Sequence, residues 1–306
     1  MAKPKIIISR CFLEPVRYNG EIVKDFFIEK LKDYVDFIDV CPEVDIGLGV
    51  PRPRIIIIKE DNYKRLFQPE TERDLTEKME KYIQEKLNNL EDFDGFILKS
   101  KSPSCGVGSA KFHNEDGKKV IGRGYGFFAE GVRKRFPYLP LEDEGRLRNP
   151  EIKKHFLVRV FAFADLRELT KNPTAKGLVD FQTKYKYLLM TYSQKHLNQL
   201  GQIVADGKLN LQEKIKQYKE IFYQAFQRKP SKGREINTLR HIIGHLSSQL
   251  NKNERKHLEN LLNKYEKGFL ELRVILELIR NFAYRFDTKY LLLQRYLNPY
   301  PEELGV

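Results

Sequence analysis

The chain has 306 residues, 41% hydrophobic and 32% charged, with a formal net charge of +13. No apolar run approaches the ~20 residues that cross a bilayer, which excludes a helical membrane protein. The start, MAKPKIIISRC, has neither the apolar length nor the small-residue cleavage site of a signal peptide, so a soluble cytoplasmic protein is expected.

The first half alternates strand-like and helix-like patterns, as βαβ units do. A β-branched strand over Ile6 to Ser9 ends at Cys11, and apolar spacing over Ile22 to Asp33 suits a crossover helix. A second strand, Phe37 to Val40, runs into Cys41-Pro42 and a Pro/Gly-rich loop, CPEVDIGLGVPRPR. Arg54 to Lys59 is strand-like, and Thr71 to Leu90 reads as an amphipathic helix. The stretch Phe96 to Gly108, FILKSKSPSCGVG, reads as a buried strand breaking into a tight loop around Cys105. GRGYGFFAEGVRKRF then turns into a helix near Phe127. These elements predict a three-layer α/β domain with a mostly parallel sheet over residues 1–145.

Leu141 to Pro150, LEDEGRLRNP, reads as a polar, acidic linker, and beyond it strand signals vanish. Asn149-Pro150 is a good N-cap and first-turn pair for a helix to about Leu169. Further helices are expected over Ala175–Tyr192, Gln194–Val204, Leu211–Gln227, Arg234–Leu250, Asn253–Lys267 and Phe269–Leu297, the last with a break. Residues 146–306 are therefore predicted to be all-α, their aromatics mostly core with some available to stack on bases. Charge divides unevenly: residues 1–150 carry 27 basic against 26 acidic side chains, residues 151–306 carry 28 against 16. A near-neutral half joined to a +12 half suggests a reaction module tied to a polyanion-binding module, the alternative being a solvated basic surface.

Each of the three cysteines, Cys11, Cys41 and Cys105, follows a predicted buried strand. In a parallel sheet the carboxyl ends of the strands share one edge, where ligands bind, so distant thiols can converge there. Three thiols in a reducing compartment favour a shared metal site over a disulfide framework or three small buried hydrophobes. An iron–sulfur cubane with one iron open and a mononuclear zinc with a water both fit that donor set. Glu43, two residues past Cys41, would share the crevice as a general acid or base, or stand as a solvent-facing loop carboxylate. Ser102 is placed to hydrogen-bond a ligand, with Ser100 and Ser104 as competitors and ordinary turn chemistry as the plainer role. Arg52, Arg54, Lys99 and Lys101 would ring the entrance with cations suited to phosphate. The glycines follow no dinucleotide or phosphate-loop pattern, and His241 and His245 lack the glutamate of a zinc-protease helix.

The runs SRCF…VRYNG, CPEVDIGLGVPRPR and LKSKSPSCG resemble the thiouracil desulfidase (TudS-type) family. The helical half, from EDEGRL through LVDFQTKYKYLLMTYS, is similar to the domain fused to desulfidases that act on 4-thiouridine in tRNA. The resemblance implies Cys11, Cys41 and Cys105 as ligands of a [4Fe–4S] cluster, with Glu43 and Ser102 as the catalytic pair. It implies a non-redox desulfuration of thiolated uracil, above all 4-thiouridine in tRNA, the basic half docking the RNA. The alternatives are a desulfidase of free thiouracil and an RNA-binding protein with a structural metal site.

Overall fold

Three consecutive isoleucines, Ile6–Ile8, can be buried together only in a strand covered on both faces. The computed structural model, which describes residues 1–61 and 63–305, places them in β1 (Lys5–Ser9), with no exposure at all. β1 lies between β2 (Asp36–Val40) and β6 (Gly95–Leu98), with β9 (Leu141–Asp143) beyond β6, and all four strands are parallel. The chain steps from β1 to β2 on one side, then returns to β6 on the other. That reversal opens a crevice beyond the carboxyl ends of β1 and β6.

Helices cover both faces of this sheet. Ile7, Val40, Phe96 and Leu98 pack against Leu87 of α3 (Thr76–Asn88) and against Phe128, Ala129 and Val132 of α4 (Phe127–Arg135). On the opposite face Gly95 leaves room for Val160 of α5 (Pro150–Lys171), which a Cβ would meet at 3.0 Å. The expected parallel three-layer arrangement is present.

A second, five-stranded sheet was not anticipated. Its order is β5 (Arg73–Asp74), β4 (Tyr63–Gln68), β3 (Ile56–Glu60), β7 (Ala110–His113), β8 (Val120–Gly124). Only the β3–β7 pair is parallel. The strand expected at Arg54 to Lys59 belongs here rather than to the first sheet. The helix expected from Thr71 starts at Thr76, because Arg73 and Asp74 pair with β4 and Thr76 Oγ1 accepts from Leu66 N at 2.9 Å. Likewise α1 (Phe26–Leu31) begins only after Asp25, whose carboxylate caps Phe27 N and Ile28 N. The stretch read as a linker contributes β9 instead, and its Asp143 and Glu144 are buried.

By contact the chain divides into Met1–Asp165 with the last residues from Glu303, and Leu166–Glu302. The second unit is helical, as expected: α6 (Ala175–Tyr192), α7 (Gln194–Ala205), α8 (Leu211–Ala225), α9 (Lys232–Leu246), α10 (Lys252–Glu266), α11 (Leu272–Arg285) and α12 (Lys289–Leu292). Its core is aromatic, with Phe181 stacked on Tyr185 at 4.4 Å and Tyr192 against Phe226 at 4.6 Å. Such rings are committed to packing. No helix among the described residues is long and apolar enough to cross a membrane.

Candidate functional site

Every strand of the parallel sheet delivers a polar or thiol side chain to the same edge. Cys11 follows β1, Cys41 follows β2, Lys99 and then Cys105 follow β6, and Glu144 follows β9. The three cysteines line one cavity of ≈ 430 Å³ together with Glu43, Lys99 and Ser102. None is in a disulfide, and all are buried.

The cysteines are held by their own backbones. Cys11 O accepts from Val23 N at 2.7 Å, which pins the long loop after β1. Cys41 is the N-cap of α2 (Pro42–Asp45), its carbonyl accepting from Asp45 N at 2.9 Å and Pro42 occupying the first helical position. The Cys105 loop turns on Ser102, whose Oγ accepts from Ser104 N at 3.2 Å and Cys105 N at 3.0 Å. The Pro103 and Ser104 carbonyls in turn accept the first amides of α4, Phe127 N at 3.0 Å and Phe128 N at 2.9 Å. Gly126 is required there: a Cβ would stand 2.6 Å from the Ser104 carbonyl.

Glu43 sits in the first turn of α2 and is nearly enclosed. Arg52 Nε and Nη2 donate to its Oε2 at 3.0 and 2.6 Å, while Ser102 and Ser104 hydroxyls donate to its Oε1 at 3.2 and 3.1 Å. Arg52 also donates to the carbonyls of Val16 and Gly49 at 3.1 and 3.0 Å. All four cations expected around the entrance, Arg52, Arg54, Lys99 and Lys101, line the cavity, but two of them are already neutralised. Arg52 is buried and paired, and Lys99 is bonded to Glu144, which leaves Arg54 and Lys101 exposed at the mouth. Ser104 was named only as a competitor of Ser102, yet both hydroxyls serve the same carboxylate.

Burial raises the pKa of every thiol. Cys11 is pushed up to about 12, first by desolvation and then by Cys41, with Lys99 acting in the opposite direction. Desolvation raises Cys41 as well, and raises Cys105 well above the ordinary range despite its hydrogen bond to Ser9. Desolvation also pushes Glu144 upward, but Lys99 and Ser100 outweigh it and hold the carboxyl below the usual range. The cavity thus presents neutral thiols that a bound metal would have to deprotonate.

Among the described residues, no three His, Cys, Asp or Glu side chains are grouped to hold a single metal ion. A lone zinc needs its sulfurs within ~2.3 Å of one point. The three cysteines line one cavity, and Lys99 and Arg52 on the same lining can offset thiolate charge. That donor set fits a cluster with each thiolate on a separate iron. His241 is exposed on α9, and His245 packs against Tyr290 at 5.1 Å, away from any such group.

Sequence comparisons agree with the two-part organisation. Residues 6–144 match the family described as 2-thiouracil desulfurase, and residues 186–301 match a protein family of unknown function, DUF1722. The uncharacterized protein YbgA of Escherichia coli (strain K12) is 26% identical over 153 residues, covering 49% of this chain and 90% of that protein. Among solved structures, the [4Fe–4S]-dependent thiouracil desulfidase TudS is 26% identical, covering 48% of this chain and 94% of its own at a TM-score of 0.39.

Proposed function

With residues 6–144 forming a domain of the 2-thiouracil desulfurase family, we propose that this protein removes sulfur from a thiolated uracil, in particular 4-thiouridine in tRNA, leaving uridine. The carrying observation is the meeting of Cys11, Cys41 and Cys105 on one cavity with the Glu43–Ser102 pair. The three thiolates would hold a [4Fe–4S] cluster. When bound, such a cluster supplies a Lewis-acidic iron free of protein ligands for the thiocarbonyl sulfur.

The chain's own groups account for the rest. Arg52 fixes Glu43 through two N–H donors that converge on Oε2, which leaves Oε1 to the Ser102 and Ser104 hydroxyls. Attack of water on the thiocarbonyl carbon requires removal of a proton. Glu43 Oε1 takes it, either directly or by way of Ser102 Oγ, which replaces its proton from the water. The same pair can return the proton to the departing sulfur. Phe96, Val107 and Phe128 pack in the same apolar core cluster as Cys105 and hold its loop from the side of the core.

For a base within RNA, the nucleotide must leave its stack to reach the sheet edge. The +12 half, residues 151–306, supplies the backbone contacts. Anaerobically reconstituted protein incubated with 4-thiouridine-bearing tRNA, and in parallel with free 4-thiouracil, tests this reading. Faster loss of thiocarbonyl absorption on tRNA supports it, equal or faster loss on the free base leaves the simpler desulfidase, and no loss on either rejects both.

A further inference from the structure

His113 lines the same cavity as the cysteines and Glu43 but stands outside their hydrogen-bond scheme. It ends β7, where the pairing with β8 is irregular between Phe112 and His113. Such bulges redirect a side chain out of the strand's alternation and recur beside active sites. Nδ1 of its ring is sealed from solvent without a protein partner, and no hydrogen bond or ion pair holds the side chain among the described residues. Nδ1 is closed off, but Nε2 is neither sealed nor bonded to the protein, so it is the nitrogen of this cavity-lining ring left to meet a ligand.

Its position indicates what that ligand offers. Cys11 and Cys41 follow strands of the parallel sheet and Cys105 lies in the loop that leaves it, whereas His113 belongs to the second sheet. A pyrimidine whose sulfur faces the thiols turns a different edge toward β7. We propose that His113 is a positioning residue that hydrogen-bonds the substrate away from its sulfur, at a ring amide or a sugar hydroxyl. A neutral imidazole has one donor and one acceptor and can serve either group. The inference rests on the desulfuration reading above.

Wild type, His113→Ala, His113→Asn and His113→Gln are compared in two assays. One is steady-state turnover of 4-thiouracil and 4-thiouridine by loaded protein; the other is calorimetric binding of uracil and uridine, which needs no turnover. Loss of one hydrogen bond should raise KM and Kd about three- to tenfold in His113→Ala, with kcat within about twofold, and one carboxamide variant should restore binding. A penalty on base and nucleoside alike assigns the contact to the ring, and one on the nucleoside alone to the sugar. Unchanged KM and Kd in folded His113→Ala, or no carboxamide rescue, overturns the proposal. Wild type that binds uridine without turning over either thiolated compound fails the desulfuration reading instead, and the calorimetry still decides His113.

Discussion

Four donors converge on the Glu43 carboxylate, two from Arg52 and one each from Ser102 and Ser104, so no oxygen of it is left loosely solvated. Such a group is positioned, and its proton traffic runs through a defined neighbour. Glu43→Gln keeps the shape and the hydrogen-bond acceptor toward Arg52 but removes the base, so desulfuration should fall about 10²- to 10⁴-fold. Arg52→Leu differs: it strands a buried carboxylate and should lower stability by about 3 kcal/mol or more, read by denaturant unfolding. The thiols give a second residue-level prediction. Their native pKa values lie above the unfolded value of about 8.5, with Cys11 near about 12. The native state therefore keeps its protons longer. Metal-free protein should hold its full stability below about pH 8.5 and lose it as the pH rises toward Cys11's about 12. A Cys11→Ser, Cys41→Ser, Cys105→Ser triple variant should show a flatter profile, and parallel profiles would refute the link.

At the scale of elements, the site depends on α4 gripping the Cys105 loop by its amino end. Gly126→Ala pushes a methyl into the Pro103 and Ser104 backbone, 2.6–2.7 Å away, where nothing flexible can yield. It should destabilise the protein by about 2 kcal/mol or more and lower metal retention, measured by unfolding and by metal content after gel filtration. Much of this architecture was legible beforehand. Ile6–Ile8 and the Cys41-Pro42 junction mark parallel strands with loops at their carboxyl ends, and α6 begins and ends where its apolar periodicity does. The second sheet was not legible. β8 (VIGRG) is glycine-bearing and largely exposed, and β4 (YKRLFQ) is mostly polar and half-buried, so neither shows the alternation that signals a strand. The Glu43–Arg52 pairing and the open imidazole of His113 arise from tertiary contacts between segments that carry no local signal.

Across the whole molecule, charge separates the two halves of the chain. The +12 carried by residues 151–306 has no counterpart in residues 1–150, whose charges nearly cancel. If that half docks RNA through phosphates, affinity for tRNA should fall steeply with salt, by about a thousandfold between ~50 and ~200 mM for several contacts. Turnover of a free thiolated base should hardly respond. A salt-insensitive tRNA affinity would remove the basic half from substrate binding. Everything nonetheless depends on three thiols acting as one ligand set. Iron and acid-labile sulfide should therefore be quantified per chain after anaerobic reconstitution of wild type and of the single Cys11→Ser, Cys41→Ser and Cys105→Ser variants. About four irons with matching sulfide in wild type, and a marked loss in every variant, is the expected result. A single metal ion per chain, or full loading with any one of the three sulfurs gone, would contradict it.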